Sequence, residues 1–548
     1  MTEQRHATVA GEAETFDALV LGAGVAGIYQ IKRLVDLGLD AVVLEADEDL
    51  GGTWYRNRYP GARFDSESYT YGYSWSQEVL DRWHWKERFS PQPETLRYLN
   101  FVAETHDLRR HMRFGRRVAS MTWIEDQRHW AVVTTDGERY LARWVITGLG
   151  ALSVPTMPKV EGIDAFGGSA FHTYDWPRDG IDLSDKRVGI IGTGATAIQI
   201  IAAIADTVGD LTVFQRRPNW SVPLRNSAIS AEEMEAIRSR YAEIVANCAA
   251  TPGGFEHVAD RRNYDDLTPE QRRETWDELY DAPGFALQLA NFPDTFFKPE
   301  ANQELSDYVA DRIRQRVDDP EIAEKLIPRD HGFGYQRLPL ETNYFEAYNR
   351  PNVHLVDVSE DPIDRVTPTG IRTRQHEHEL DVLIFATGFH AMVGAFNRID
   401  VVGVGGLTLK DAWADNPDTY LGTLNHGFPN LFMIAGPQSA SGSTNYPRAL
   451  ETGVAWISEL LEDTLAAGHS RVEVTAEGQA WWSREVRSMQ DFMPFGRTSK
   501  SWFTGYNSNV AGHEEGNIRY QAYWGGAPRF RAHLEAAVES GYGQIDRR

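Results

Sequence analysis

Two glycine turns of one kind, 170 residues apart, constrain this chain more than any other feature. The first lies in FDALVLGAGVAGIYQIKRLVDLGLDAVVLEAD and the second in KRVGIIGTGATAIQIIAAIADTVGDLTVFQRRP. Each reads as an apolar run, a GxGxx(G/A) turn, a stretch with apolar residues at helical spacing and a second apolar run. That order predicts strand, tight turn, helix and strand, the unit in which a pyrophosphate rests on the free N–H groups and positive end of the helix. A lone pattern of this type is weak evidence, but two copies with matching flanks predict an α/β protein built on two Rossmann-like dinucleotide-binding domains. Gly22, Gly24, Val25 and Gly27 form the first turn; Gly192, Gly194 and Ala197 mark the second.

The residue that ends the second strand of such a unit reads the ribose. Glu45 stands there in the first unit and Gln215 in the second, each 23 positions after its first glycine. A carboxylate accepts from ribose hydroxyls and repels a 2′-phosphate, so the first site suits FAD or NAD. Gln215 is followed at once by Arg216 and Arg217, which suit the 2′-phosphate of NADP. One charge-assisted hydrogen bond of roughly 1.5–3 kcal/mol favours NADPH over NADH by about ten- to a hundredfold. Two dinucleotides on one chain imply a nicotinamide feeding a flavin. Disulfide reductases share this layout but need a cysteine pair, and Cys248 is the only cysteine. The electrons of the reduced flavin are therefore expected to pass elsewhere, most directly to O2.

A formal charge of −24 argues against nucleic acid or an anionic membrane as partner. No apolar run approaches the ~18 residues of a membrane span. The start, MTEQRHATVAGEAETF, lacks the apolar core of a signal peptide and reads as a short tail of a cytoplasmic protein. Further strands are expected to end at Thr147-Gly148, after a hairpin turning at Asp136-Gly137, at Ala386-Thr387-Gly388 and at Gly436. Between Ser221 and Gln336 the texture becomes that of amphipathic helices, with capping boxes at Ser230–Glu233 and Thr268–Gln271. The expected organisation is a FAD-binding domain over 1–152, resuming over 382–548 with a C-terminal loop that serves substrate and NADP. The NADP-binding domain occupies 153–220 and 337–381, interrupted by the helical insertion 221–336. His376-Glu377-His378 falls in a polar turn before a strand, and no metal site is expected.

The connector FGGSAFHTYDWP fits F-x-G-x-x-x-H-x-x-x-W-P through Phe166, Gly168, His172, Trp176 and Pro177. GGTWYRNRYPGARFD carries Gly52, Trp54, Tyr59, Pro60, Gly61 and Asp65 at matching spacing. Over nearly its whole length the chain resembles type I Baeyer–Villiger monooxygenases, the branch of the phenylacetone, cyclohexanone and steroid enzymes. The resemblance implies an NADPH- and O2-dependent conversion of ketones to esters or lactones through a C4a-peroxyflavin. It implies Arg337 as catalytic cation, oriented by Asp65, and a hinge made by Phe166, Gly168, His172 and Trp176. Thr53, Trp54, Asp65, Tyr71, Val118 and Tyr446 would line FAD. Thr193, Gly194, Ala195, Thr196, Ala197, Gln199, Arg216, Arg217, Arg337 and Trp502 would hold NADP. The loop QSASGS, Gln438 to Ser443, would lie beside the substrate, its small side chains leaving room for a bulky ketone. Four departures stand out: Gln336 where relatives often carry Lys, Arg217 for Thr, Phe64 for Cys, and GYNSNVAGHEEGN in place of GANIPGK. The alternatives are a flavin-containing N-/S-oxygenase, opposed by Trp176 and Asp65, and a flavin redox sensor without turnover, opposed by Arg337 with Asp65.

Overall fold

The computed structural model describes residues 13–493, 500–514 and 522–548. The tail 1–12 and residues 515–517 of the departing loop lie outside them. The run Ala18–Leu21 is wholly buried, as an apolar stretch without alternation should be in a parallel sheet covered on both faces. It belongs to β1 (Glu14–Leu21), which runs parallel between β2 (Ala41–Leu44) and β6 (Arg139–Thr147). Beyond β2 lies the short β3 (Met112–Arg113). β4 (Val118–Ile124) and β5 (His129–Thr134) continue the sheet antiparallel from β6, with the hairpin at Asp136-Gly137. Two late strands return to this sheet: Asp400–Val402 on β4 and Leu431–Met433 on β6.

The second sheet is parallel throughout. Its order is Val353–Asp357, β9 (Asp210–Gln215), β8 (Arg187–Ile191), Val382–Phe385 and β7 (Ser169–His172). Val382–Phe385 is a correction: the sequence reading gave residues from 382 onward to the first unit. Its four buried apolar side chains fill the gap between β7 and β8, so the chain leaves the second unit only after Phe385. His376–His378 is a second correction. Glu377–Glu379 forms a strand on Gly370–Thr373, within a three-stranded antiparallel sheet, rather than a turn. Among the described residues no group of three or more His, Cys, Asp or Glu is placed to hold a metal ion. No described helix is long and apolar enough to cross a membrane.

In sequence the helical segment interrupts the second unit, but in space it covers both. Met234, Tyr241, Ile244 and Cys248, on helices Ala231–Ser239 and Tyr241–Ala250, are buried in the core of the first unit. Trp276, Leu305 and Val309, on Pro269–Asp281 and Pro299–Arg316, are buried in the core of the second. Both expected capping boxes are formed.

Candidate active site

At the first turn Gly22 has φ +102°, and a Cβ there would lie 2.7 Å from the Gly148 carbonyl oxygen. Only glycine lets the strand end, the turn and Gly148 come so close. Helix Val25–Asp36 starts at Gly24 without a side-chain cap, so N–H groups of its first turn await another acceptor. The buried Glu45 carboxylate accepts from the Ala23 N–H at 2.6 Å and the Asp47 N–H at 2.8 Å. Burial pushes its pKa up, and those two N–H bonds pull the other way. The Arg116 N–H donates to the Glu45 carbonyl at 2.7 Å, which sets Val118, at the start of β4, on the same edge. Thr53 opens the short helix Thr53–Arg56. There Trp54 Nε1 donates to the Tyr71 hydroxyl at 2.7 Å, and the Phe64 ring stacks on Tyr71 at 4.1 Å. Tyr446 opens helix Tyr446–Ala466, its hydroxyl pushed up to about 12 by burial.

The second turn repeats this construction. Gly192 has φ +114°, with the Ala386 carbonyl oxygen 2.4 Å from where a Cβ would be. Helix Ala195–Ile204 again lacks a side-chain cap, and a Cβ on Gly194 would meet nothing within 4 Å. Thr193 Oγ1 donates to the Arg217 carbonyl at 2.8 Å, fixing the turn to the end of β9. Ala197 is buried under the helix. Gln215 departs from expectation: it is 0% exposed and its Nε2 donates to the Lys325 carbonyl at 2.7 Å, so it faces the protein, not a ribose. Arg216 is thus the first side chain after β9 that reaches solvent.

The two units meet along Tyr59–Asp65. The Tyr59 hydroxyl donates to Gln199 Oε1 at 3.1 Å, and burial pushes it up to about 12. Gln199 Nε2 donates to the Arg63 carbonyl at 3.0 Å. This seam delivers Asp65 to Arg337, whose Nη2 lies 2.6 Å from Asp65 Oδ2. The Asp65 side chain is 4% exposed and the Arg337 side chain 38%. The carboxylate is therefore a buried anchor and the guanidinium an open cation. Arg337 Nη1 also donates to the Leu338 carbonyl at 3.3 Å. Burial pushes the Asp65 carboxyl above its ordinary value, against the pull of the Arg337 charge.

The connector fingerprint has a packing logic. A Cβ on Gly168 would lie 2.3 Å from the Asp381 carbonyl oxygen and 2.8 Å from the Phe166 ring, so Phe166 and Gly168 come as a pair. Trp176 is buried in the second core with Phe171 edge-on at 5.0 Å. His172 ends β7: its Nδ1 accepts the Tyr174 N–H at 3.1 Å and its Nε2 lies 3.2 Å from the Gly388 carbonyl. Those bonds require the neutral tautomer with the proton on Nε2. Burial lowers its pKa to about 4.

Sequence reasoning missed the ionic contact beside this connector. Arg56 Nε donates to Asp47 at 2.7 Å, its Nη1 lies 3.3 Å from Asp175, and the guanidinium covers the Tyr174 ring at 5.1 Å. The only sequence signal was that Arg56 and Asp175 are opposite charges inside the two quoted motifs. The QSASGS loop also differs from expectation. Ser439, Ala440 and Ser441 are buried, and Ser439 and Ser441 bond each other at 2.8 Å, so they make no open space for a bulky substrate. Trp502 is half-buried and packs against the first-unit core that includes Val145 and Met392.

Two uncapped helix ends, each beside a glycine turn and the end of a neighbouring strand, fit two dinucleotide pyrophosphates. The paired Tyr59–Asp65 seam would bring both cofactors to Arg337. Comparison with known proteins agrees. The family model for flavin-binding monooxygenase-like proteins matches residues 17–252. The 2-oxo-Δ3-4,5,5-trimethylcyclopentenylacetyl-CoA monooxygenase of Pseudomonas putida is 41% identical, covering 97% of this chain and 98% of its own. A Baeyer–Villiger monooxygenase of Pseudooceanicola batsensis is 40% identical, over 97% of this chain and 96% of its own. The crystal structure of OTEMO in complex with FAD and NADP superposes with a TM-score of 0.94 at 40% identity, over 98% of this chain and all of that one. Identity of this order, sustained from end to end over both nucleotide units and the segment between them, makes the chain a member of the Baeyer–Villiger monooxygenase family.

Proposed function

We propose that the chain binds FAD at the first turn and NADP at the second, and oxidises a ketone to an ester or lactone. NADPH supplies two electrons and the medium one proton. One atom of O2 enters between the carbonyl carbon and its neighbour, and the other leaves as water. The relatives' substrates support a ketone, and cytoplasmic work, where NADPH is replenished, goes with this reading. When bound, FAD supplies the electron transfer and the activation of oxygen; the chain's own residues do the rest.

The observation that carries the reading is the Arg337–Asp65 pair, a half-open guanidinium held at 2.6 Å by a buried carboxylate. Negative charge gathers on the carbonyl oxygen as a ketone is attacked, and a fixed cation stabilises it without having to reorganise. A guanidinium keeps its proton at any working pH, and Asp65 restricts its direction. Gly22, Gly24, Val25 and Gly27 would cradle the FAD pyrophosphate and Glu45 its ribose, with Val118 beside the adenine. Thr53, Trp54, Tyr71 and Tyr446 would flank the ring system. Thr193 to Gln199 would take the NADP pyrophosphate, Arg216 and Arg217 its 2′-phosphate, and Trp502 would pack on NADP. His172 would be the hinge. The flavin unit would comprise residues up to 152 and those after the strand Val382–Phe385.

The test is a product assay under labelled oxygen. Purified yellow protein, NADPH and ketones of graded size should yield esters or lactones carrying one labelled atom. Arg337→Ala should still bind FAD yet form no ester. Peroxide without ester across every ketone, in the unaltered protein, would overturn the reading.

A further inference from the structure

The loop 500–514, which carries most of the stretch GYNSNVAGHEEGN, lies against the end of β9. Arg216 Nη1 donates to Ser508 Oγ at 2.5 Å. The Arg217 guanidinium sits 5.8 Å from the centre of the Tyr506 ring and is tied to Asp330 at 3.1 Å. The residues around Ser508 anchor the loop to a single segment. Asn507 Nδ2 donates to the Phe389 carbonyl at 2.9 Å, and Asn509 Nδ2 to the Thr387 carbonyl at 3.4 Å. Lys159 pairs with Glu514 at 2.7 Å. The same segment holds the hinge: the Gly388 carbonyl takes both the Thr156 N–H at 2.9 Å and His172 Nε2, and the Phe389 ring meets the His172 ring edge-on at 5.5 Å.

We infer that the 2′-phosphate of NADP is read by a composite site, Arg216 and Arg217 together with Ser508 of the 500–514 loop. Loop docking is thereby specific for NADP over NAD. The inference deepens the proposed NADP assignment and rests on it. A guanidinium has five N–H donors, and Ser508 takes one. The others remain for phosphate oxygens. A hydroxyl that accepts from Arg216 keeps its own proton to donate, so Ser508 can bond a phosphate oxygen while bonded to the arginine. Gln215 is turned into the protein and Gln336 carries no charge, which leaves loop residues to complete the contact. Because Asn507 and Asn509 flank Ser508, a phosphate held there also holds the loop on Thr387–Phe389. The hinge histidine rests on that segment.

The experiment uses the FAD-loaded enzyme in its oxidised state, with NADP+ and NAD+ as probes. Dissociation constants are measured by calorimetry, and hydrogen exchange is followed over 500–514. Ser508→Ala should weaken NADP+ by about tenfold, the size of one charge-assisted bond to phosphate, and leave NAD+ unchanged. NADP+, but not NAD+, should slow exchange in the loop, and Ser508→Ala should abolish that difference while Ser508→Thr restores it. Equal effects of Ser508→Ala on both nucleotides, or none on either, would overturn the composite site. Arg216→Ala separates the two failures. If it also leaves the preference for NADP+ untouched, the NADP assignment itself has failed; if it removes the preference while Ser508→Ala does not, only the loop's part has.

Discussion

Asp65→Asn should separate function from stability at one atom pair. The substitution keeps shape and an acceptor opposite Arg337 Nη2 but replaces a carboxylate by a neutral amide. The Asp65 side chain is 4% exposed and its ionised form is disfavoured by burial. A carboxyl whose folded pKa lies above its unfolded value is a cost to folding once pH exceeds the unfolded value. Removing that charge is therefore neutral or stabilising at pH 7. Arg337, with a 38% exposed side chain, stays solvated and pays little for losing its partner. Function should respond differently. Neutral acceptors hold a guanidinium about half as strongly as charged ones, a loss of about 1–1.5 kcal/mol in positioning and so about tenfold in turnover. In the unaltered enzyme the same loss should appear as an acid limb in kcat, as pH falls through the raised Asp65 value; Asp65→Asn should lack that limb. The assay pairs thermal melting with a pH series of ester formation. A melting temperature several degrees lower, with turnover unchanged, would refute the reasoning, because Asp65 would then be a structural anion and no more.

Four further outcomes are expected. His172, held neutral with a value of about 4, contributes stability that is complete above about pH 6.5 and lost as pH falls toward 4. His172→Gln should flatten that part of a stability–pH curve measured by denaturant titration. Gly194→Ala should leave the melting temperature within a degree or two of the original yet weaken NADP+ at least about tenfold, since its Cβ meets open space at an uncapped helix end. Gly192→Ala should fail to accumulate as folded protein, because its Cβ would lie 2.4 Å from the Ala386 carbonyl oxygen. Phe64→Ala, which removes the ring stacked on Tyr71 at 4.1 Å, should cost about 3–5 kcal/mol in denaturant unfolding, the range for a buried aromatic.

Both glycine turns, their helices and the hairpin at Asp136-Gly137 were legible because each is a local signal: positive φ, helical spacing, or alternation. The Arg337–Asp65 pair joins residues 272 positions apart and was legible only through resemblance, since no local rule says which arginine meets which aspartate. Three features stayed hidden for physical reasons. The strand Val382–Phe385 is apolar on both faces and would suit either sheet; partner strands, not its own residues, decide. Gln215 stands at the ribose-reading position but turns inward, because Lys325 on the helical segment offers its amide a carbonyl. The serines of 439–441 are small and polar, which reads as an open loop until their mutual hydrogen bond and burial are seen.

The order of strands in the first sheet also bears on synthesis. β6 is covered by Leu431–Met433, and helix Val25–Asp36 packs on Tyr446–Ala466, where Gln30 reaches Ser458. A ribosome releases residues N-terminal first. The first unit to begin must therefore wait, its parallel strand edge and helix face uncovered, for chain made nearly 300 residues after β6 and more than 400 after the helix. The second unit, nested within it, has all its strands once Phe385 has emerged. The second unit should thus be complete while the first is still a frame. Helices Ala231–Ala250, made in between, are the first part of the chain able to shield that frame. Nascent chains halted once Phe385 has cleared the ribosome but before Leu431 has should resist protease over 187–385 and remain open to it over 14–150.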